Sequence, residues 1–219
     1  MCADISKRLI DKFIKEQIRL SSQIEFISLK NRKGIIAGID VSYKNDDIFC
    51  SIVTLLFPEL KLINVYYKKD KTKFPYIPGL LSFREMPIVI KTFEEVRETI
   101  FLIFCDGQGI AHPRGFGLAS HIGTVLGIPT IGCAKSRLVG EYIEPPSKKG
   151  SHTPLVYQNK IVGAVLRTRD NTNPVFVSVG NYIDLKSAIR YTISCSRYRI
   201  PEPTRHAHRY VTQFRDNIS

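Results

Sequence analysis

Scarcity narrows the function of this chain before any motif is read. Its five cysteines, Cys2, Cys50, Cys105, Cys133 and Cys195, are odd in number and scattered, with no CxxC pair. That argues against a disulfide framework and against a cysteine zinc site, and fits buried thiols in a reducing compartment. Three of them stand inside apolar strand-like runs, where a small hydrophobe would serve as well. No apolar run approaches the roughly 20 residues needed to cross a bilayer. The start, Met1-Cys2-Ala3-Asp4, carries neither a signal-peptide apolar region nor a cleavage pattern, so a cytoplasmic protein without a membrane partner is expected. Internal repeats and low-complexity segments are missing too. Acidic residues are in short supply: 20 Asp and Glu face 32 Lys and Arg, for a net charge of +12. Such a surplus points to a polyanionic partner, nucleic acid first among them.

The 219 residues, 43% of them hydrophobic, suffice for one substantial core, and a single domain over 1–219 is expected. The chain is organised around Asp106 to Leu138. The run Ile100-Phe101-Leu102-Ile103-Phe104-Cys105 reads as a buried strand that ends on Asp106 and a glycine-rich loop, Gly107-Gln108-Gly109. Gly117 to Gly127 is apolar at helical spacing, and Ile128 to Ala134 reads as a second buried strand closing on Lys135-Ser136-Arg137. This is a βαβ-like unit whose strands both end in charge at one edge of a parallel sheet.

Upstream, apolar spacing predicts an amphipathic helix over 4–29. Gly34 to Ile39 reads as a short strand meeting Asp40, and Ile48 to Phe57 and Leu60 to Tyr67 as two more strands. Connections this short allow only an antiparallel meander. Lys68 to Lys73 reads as a basic loop, Phe74 to Gly79 as a proline-stiffened segment, and Leu80 to Glu85 as the approach to a helix holding Glu94, Glu95 and Glu98. Downstream, Leu155 to Arg169 and Val175 to Val179 read as strands of a hairpin or of a late sheet extension. Asp184 to Tyr198 and Thr204 to Phe214 read as helices, the latter capped by Thr204. A meander continued by parallel βαβ and flanked by helices is an α/β, ribonuclease H-like mixed sheet. In that plan Asp40 on the first strand sits beside Asp106 at the end of the fourth.

Hydrolysing a phosphodiester requires an activated water, stabilisation of developing negative charge and help for a leaving alkoxide, all of which carboxylate-held divalent metal supplies. Asp40, Glu85 and Asp106 each end or follow an apolar segment, where an unpaired carboxylate is costly. Capping a helix or pairing with one of the many basic residues is the structural alternative for each acid.

Four segments, GIDVSY from Gly38, PYIPG from Pro75 with Phe83-Arg84-Glu85, DGQGIAHPR from Asp106 and GCAKSRL from Gly132, closely resemble the endonuclease V family. The similarity runs on through Gly163 to Thr168 and Asn173 to Gly180 to Pro201-Glu202-Pro203-Thr204-Arg205, so it spans nearly the whole chain in order. The resemblance implies a ribonuclease H-like, magnesium-dependent endonuclease, for which manganese can substitute. It would nick DNA at the second phosphodiester bond 3′ to deoxyinosine, and relatives acting on inosine in RNA also exist. It makes Asp40, Glu85 and Asp106 metal-site carboxylates, His208 the C-terminal ligand and Lys135 the active-site lysine. It places Tyr76 at the tip of a strand-separating wedge and Gly79, Leu81, Gly107, Gly117 and Leu138 in the pocket for the base. His112 falls in the active-site loop, where anchoring the loop is as good a reading as chemistry. Gly115 departs from the pattern, since many relatives carry a second basic residue there.

The rival readings are a structure-specific or inosine-directed RNA nuclease on the same fold, and a basic nucleic-acid-binding module without catalysis. His206 and His208, two positions apart on a predicted helix, point about 200° away from each other, so only one faces the carboxylates. A monomer is expected.

Overall fold

The computed structural model describes residues 7–218. The elements run α1 Lys7–Ser21, β1 Gly34–Lys44, β2 Asp47–Phe57, β3 Lys61–Lys71, α2 Leu81–Phe93, β4 Ile100–Cys105, α3 Leu118–Leu126 and β5 Thr130–Ala134. They continue with β6 His152–Tyr157, β7 Lys160–Leu166, β8 Val175–Asn181, α4 Leu185–Ser194 and α5 Glu202–Asn217. All the strands share one sheet in the order β3-β2-β1-β4-β5-β8-β7-β6. β1, β2 and β3 form the antiparallel meander, β4 and β5 continue parallel to β1, and β8, β7 and β6 extend the sheet antiparallel.

The core lies on both faces of the sheet. Met86 and Val89 of α2 and Ile122 of α3 pack with Ile39, Ile52 and Ile103 on one face. On the other, Tyr191 of α4 and Ala207 of α5 pack with Ile36, Val53 and Leu102. Every residue of β4 is buried, which explains its unbroken apolar run. Each large apolar side chain so placed stabilises the fold by about 1.5–3 kcal/mol.

Several elements differ from the sequence reading in their limits. The N-terminal helix stops at Ser21, where the Ser21 and Ser22 hydroxyls bond back to the Ile18 and Arg19 carbonyls. The following segment is not helical. It runs along β8 and α4, with the Glu25 N–H bonded to Asn181 Oδ1 and the Tyr191 hydroxyl to the Lys30 carbonyl. Ile5 and Cys2 lie outside the described residues. Lys68 to Lys71, expected as loop, belong to the edge strand β3, where Asp47 neutralises Lys69 and Lys71 and Glu95 neutralises Lys68. Glu85 lies in the first turns of α2 rather than ahead of it. Glu94, Glu95 and Glu98 follow that helix, Glu98 accepting from Thr54, Asn64 and Tyr66. The late hairpin pairs β6 with β7 from His152 to Leu166, turned at Gln158 and Asn159, both with positive φ, so Arg167 to Arg169 lie beyond it. Helix α5 starts at Glu202. Thr204 is not its cap but lies inside it, its hydroxyl donating to the Pro201 carbonyl.

One glycine decides how closely α5 approaches the sheet. A Cβ on Gly38 of β1 would stand 2.0 Å from the Pro203 carbonyl oxygen. A second tie, from Ser51 Oγ of β2 to the Ala207 carbonyl at 2.7 Å, fixes the helix one turn further on. Gly38→Ala should therefore force α5 outward and cost about 1–3 kcal/mol. Thermal denaturation checks this: a melting temperature equal to wild type would show that α5 is not pinned at Gly38.

Candidate active site

The Asp106 N–H donates to the Ile39 carbonyl at 3.2 Å, just past the last β1–β4 pair, Ile39 with Cys105. That contact sets the side chains of Asp40 and Asp106 beside each other at one edge of the sheet. Helix α5 brings in His208, whose Nδ1 lies 2.8 Å from Asp40 Oδ2. One ligand atom from each of Asp40, Asp106 and His208 falls within 4.8 Å of the other two. From the end of β5, Lys135 Nζ reaches Asp106 Oδ2 at 2.5 Å. Four residues expected at the catalytic centre thus meet at one point, drawn from β1, the end of β4, the end of β5 and α5. His206 faces elsewhere, its Nε2 3.2 Å from Glu202 Oε2 and its ring stacked on Tyr210.

Glu85 approaches the centre from α2 but stands outside the three-residue group. Only 6% exposed, it accepts a hydrogen bond from the Tyr43 hydroxyl at 2.9 Å. Burial raises its carboxyl to about 8, the charges of Asp40 and Asp106 push the same way, and the Tyr43 bond opposes them. Asp40 is raised to about 6, by burial first and the neighbouring Asp106 second, against the hydrogen bond from His208. The edge therefore gathers more negative charge than its burial tolerates. Two carboxylates and an imidazole are a donor set that a divalent cation fits, and its charge would relieve that excess.

Beside Asp106 opens a pocket of about 360 Å³, lined by Gly79, Leu81, Gly107, His112, Gly117 and Leu138 together with Tyr76 and Lys135. All the residues expected around the base are here. Tyr76 is 66% exposed. His112 is buried, and burial, aided by the charge of Arg114, lowers it to about 4. Its Nδ1 accepts from the Arg114 N–H at 3.2 Å, a bond within the loop that the neutral imidazole can make. Gly115 turns that loop at φ 66°.

A family profile described as Endonuclease V matches residues 18–209. The chain belongs to the endonuclease V family. It is accordingly an enzyme, a deoxyinosine 3′ endonuclease of DNA repair, and the family is metal-dependent. It is 45% identical to the endonuclease V of Petrotoga mobilis over 199 residues, 90% of each chain. The crystal structure of endonuclease V from Streptomyces avermitilis superposes with a TM-score of 0.90 at 36% identity, covering 95% of this chain and 93% of that one. A Ciona intestinalis endonuclease V, solved with a 23mer DNA containing an inosine followed by a ribo-adenosine, superposes with a TM-score of 0.86 at 25% identity, covering 98% of this chain and all of that one. The fold is ribonuclease H-like. The chain also superposes on A. aeolicus Argonaute, with a TM-score of 0.52 at 13% identity over 84% of this chain and 29% of that one.

Several supporting residues of this endonuclease V site escaped the sequence reading. Gln108 Nε2 donates to the Ser136 carbonyl at 3.1 Å, tying the loops after β4 and β5 together. Arg199 Nη2 donates to the Lys135 carbonyl at 3.0 Å and steadies the lysine's backbone. Tyr43 closes the segment that begins at Gly38, and Gln108 lies in DGQG, so both could have been suspected from motifs already in hand. Arg199 stands outside any chemical pattern, and no signal in one sequence marks it.

The folded chain binds the Glu85 proton more tightly than the unfolded chain does. Its contribution to stability is thus fully present below the ordinary value of 4.5 and is lost as pH rises through about 8. In EDTA, Glu85→Gln should match wild type in melting temperature near pH 5 and exceed it near pH 9. Parallel melting curves at all pH values would show that the Glu85 proton is not linked to folding.

Proposed function

We propose that this site hydrolyses the second phosphodiester bond 3′ to deoxyinosine in DNA, with magnesium as its cofactor and manganese able to replace it. The convergence of Asp40, Asp106 and His208, with Asp106 also lining the pocket, carries the reading. Asp40, Asp106 and His208 hold the cation. Glu85, held by the Tyr43 hydroxyl, is the remaining carboxylate of the centre and acts on it through its charge. A divalent cation bound here supplies charge neutralisation at the phosphate and lowers the pKa of water. The Lys135 ammonium, which reaches Asp106, stabilises the charge that develops on the phosphate.

Tyr76, between Pro75 and Pro78, is the wedge that enters the space left by an extruded base and offsets part of the unstacking cost. Gly79, Leu81, Gly107, Gly117 and Leu138 shape the pocket that receives it. Hypoxanthine presents the O6 acceptor and the N1–H donor but no 2-amino group, and backbone groups of a glycine-rich lining suit that edge. The whole chain, 1–219, works as one nuclease domain and as a monomer. Action in the cytoplasm accords with the buried free thiols of Cys50, Cys105, Cys133 and Cys195. DNA containing deoxyinosine is the partner, as in the Ciona complex, and inosine-containing RNA is the competing substrate.

Cleavage of inosine-containing and undamaged oligonucleotides, each as DNA and as RNA, in magnesium or EDTA, tests the reading. Inosine DNA should be cut only with the metal, and Asp106→Asn should lower the rate on the order of a thousandfold while leaving binding intact. Equal cutting of undamaged DNA, or full activity in Asp106→Asn, would contradict it. His208→Ala should raise the magnesium needed for half-maximal activity, His208→Asp should restore much of the loss, and His206→Ala should be nearly silent. The reverse pattern for the two histidines would remove His208 from the centre.

A further inference from the structure

Gln17 is a fully buried side chain on α1, a helix otherwise expected only to cover the body of the protein. Every hydrogen-bonding site of its amide that the surroundings reach is used. Nε2 donates to the Phe116 carbonyl at 2.7 Å and to the Gly79 carbonyl at 3.1 Å, and Oε1 accepts from Arg114 Nε at 2.5 Å. The arrangement fixes the orientation of the amide. Rotated by 180°, its oxygen would face two carbonyls and its NH₂ a guanidinium that can only donate. Arg114 Nη2 closes the ring of contacts by donating to the same Gly79 carbonyl at 2.6 Å.

Three segments are therefore joined through one amide: α1, the loop after β4 that holds Arg114 and Phe116, and the loop that carries Tyr76. The third segment is held at a special point. Gly79 has φ 78°, and a Cβ there would meet Arg114 Nη2 at 2.5 Å. Between Gly79 and Tyr76 the chain is short and stiff, with Pro78 and a bond from the Leu80 N–H to the Ile77 carbonyl. Phe13, one helical turn before Gln17, adds a second hold, its ring centroid 5.0 Å from Phe74 and 4.7 Å from Phe83.

We infer that Gln17 is a positioning residue for base extrusion, holding the Tyr76 loop in register with the loop that ends the catalytic strand. This rests on the reading of Tyr76 as a wedge. A wedge does work only if it does not yield when the duplex pushes back, so the loop must be braced against the same body that holds the carboxylates. Gln17 and Arg114 supply that brace. When the base is already unpaired, the brace has nothing to resist.

The test uses Gln17→Glu, which keeps size and the partner for Arg114 but turns both donated bonds into oxygen–oxygen contacts, and Gln17→Leu, which removes all three bonds. On duplex DNA with deoxyinosine, Gln17→Glu should lower kcat/KM about tenfold or more, the usual effect of leaving buried polar groups unpaired, while cleavage of the single-stranded oligonucleotide stays within about twofold. In a Tyr76→Ala background the same change should add little on duplex. Because the chain contains no tryptophan, Tyr76→Trp places a lone reporter at the loop tip. Its fluorescence anisotropy should decay faster when either Gln17 variant is added. Equal losses on duplex and single strand, losses that add to those of Tyr76→Ala, or unchanged anisotropy of the introduced indole would overturn the inference and leave Gln17 a packing residue. Should Tyr76→Ala itself lose equally on both substrates, the wedge reading falls and takes the inference with it.

Discussion

The backbone bond from Asp106 to Ile39 puts two carboxylates side by side at a half-covered edge of the sheet, and much of the molecule answers that arrangement. Burial first, and the like charge of Asp106 second, disfavour the ionised carboxylate of Asp40 and raise it to about 6. The surroundings partly compensate with Lys135 at Asp106 and His208 at Asp40. Neither contact is buried enough to neutralise the pair, His208 being 57% exposed. A deficit of positive charge where Asp40 and Asp106 converge is what a metal-dependent endonuclease of this family requires. The fold secures it through backbone geometry, with Gly38 giving α5 the room to deliver His208.

Charge elsewhere divides into two kinds. On the β3 edge Asp47 holds Lys69 and Lys71 and Glu95 holds Lys68, while Asp70 of the same strand holds Lys91 of α2. They protect an open strand edge more than they recruit a partner. The surplus of +12 must therefore act largely from other surfaces, where it draws in a polyanion whose phosphates the carboxylate centre by itself would repel. Attraction at long range and repulsion at the centre are reconciled only with a cation in place.

Much of this was legible in the sequence because the decisive features were local. An unbroken apolar run ending on Asp106, and short connections between the first three strands, suffice to infer the mixed sheet and the meeting of Asp40 with Asp106. The two-residue offset of His206 and His208 shows that only one of them can face the carboxylates, and it took the family resemblance to point to His208. Element limits were less legible wherever tertiary contacts overrode local pattern. Ile24 and its neighbours keep helical spacing, yet Asn181, Ser187 and Tyr191 take up the backbone groups of 25–30 and draw that segment out of the helix. The β3 lysines look like loop until their acidic partners on β2 and beyond α2 are known. Gln17 and Arg199 act on backbone carbonyls far away in sequence, and nothing in their immediate neighbours announces it.

The central claim is that Asp40, Asp106 and His208 form one cation site. Crystals soaked in manganese and measured for anomalous scattering address it directly. The claim predicts the strongest peak at this edge of the sheet, within about 2.2 Å of carboxylate oxygens of both Asp40 and Asp106. In crystals of Asp106→Asn that peak should vanish or weaken sharply. A strongest peak away from both aspartates, or one that persists undiminished in Asp106→Asn, would contradict it.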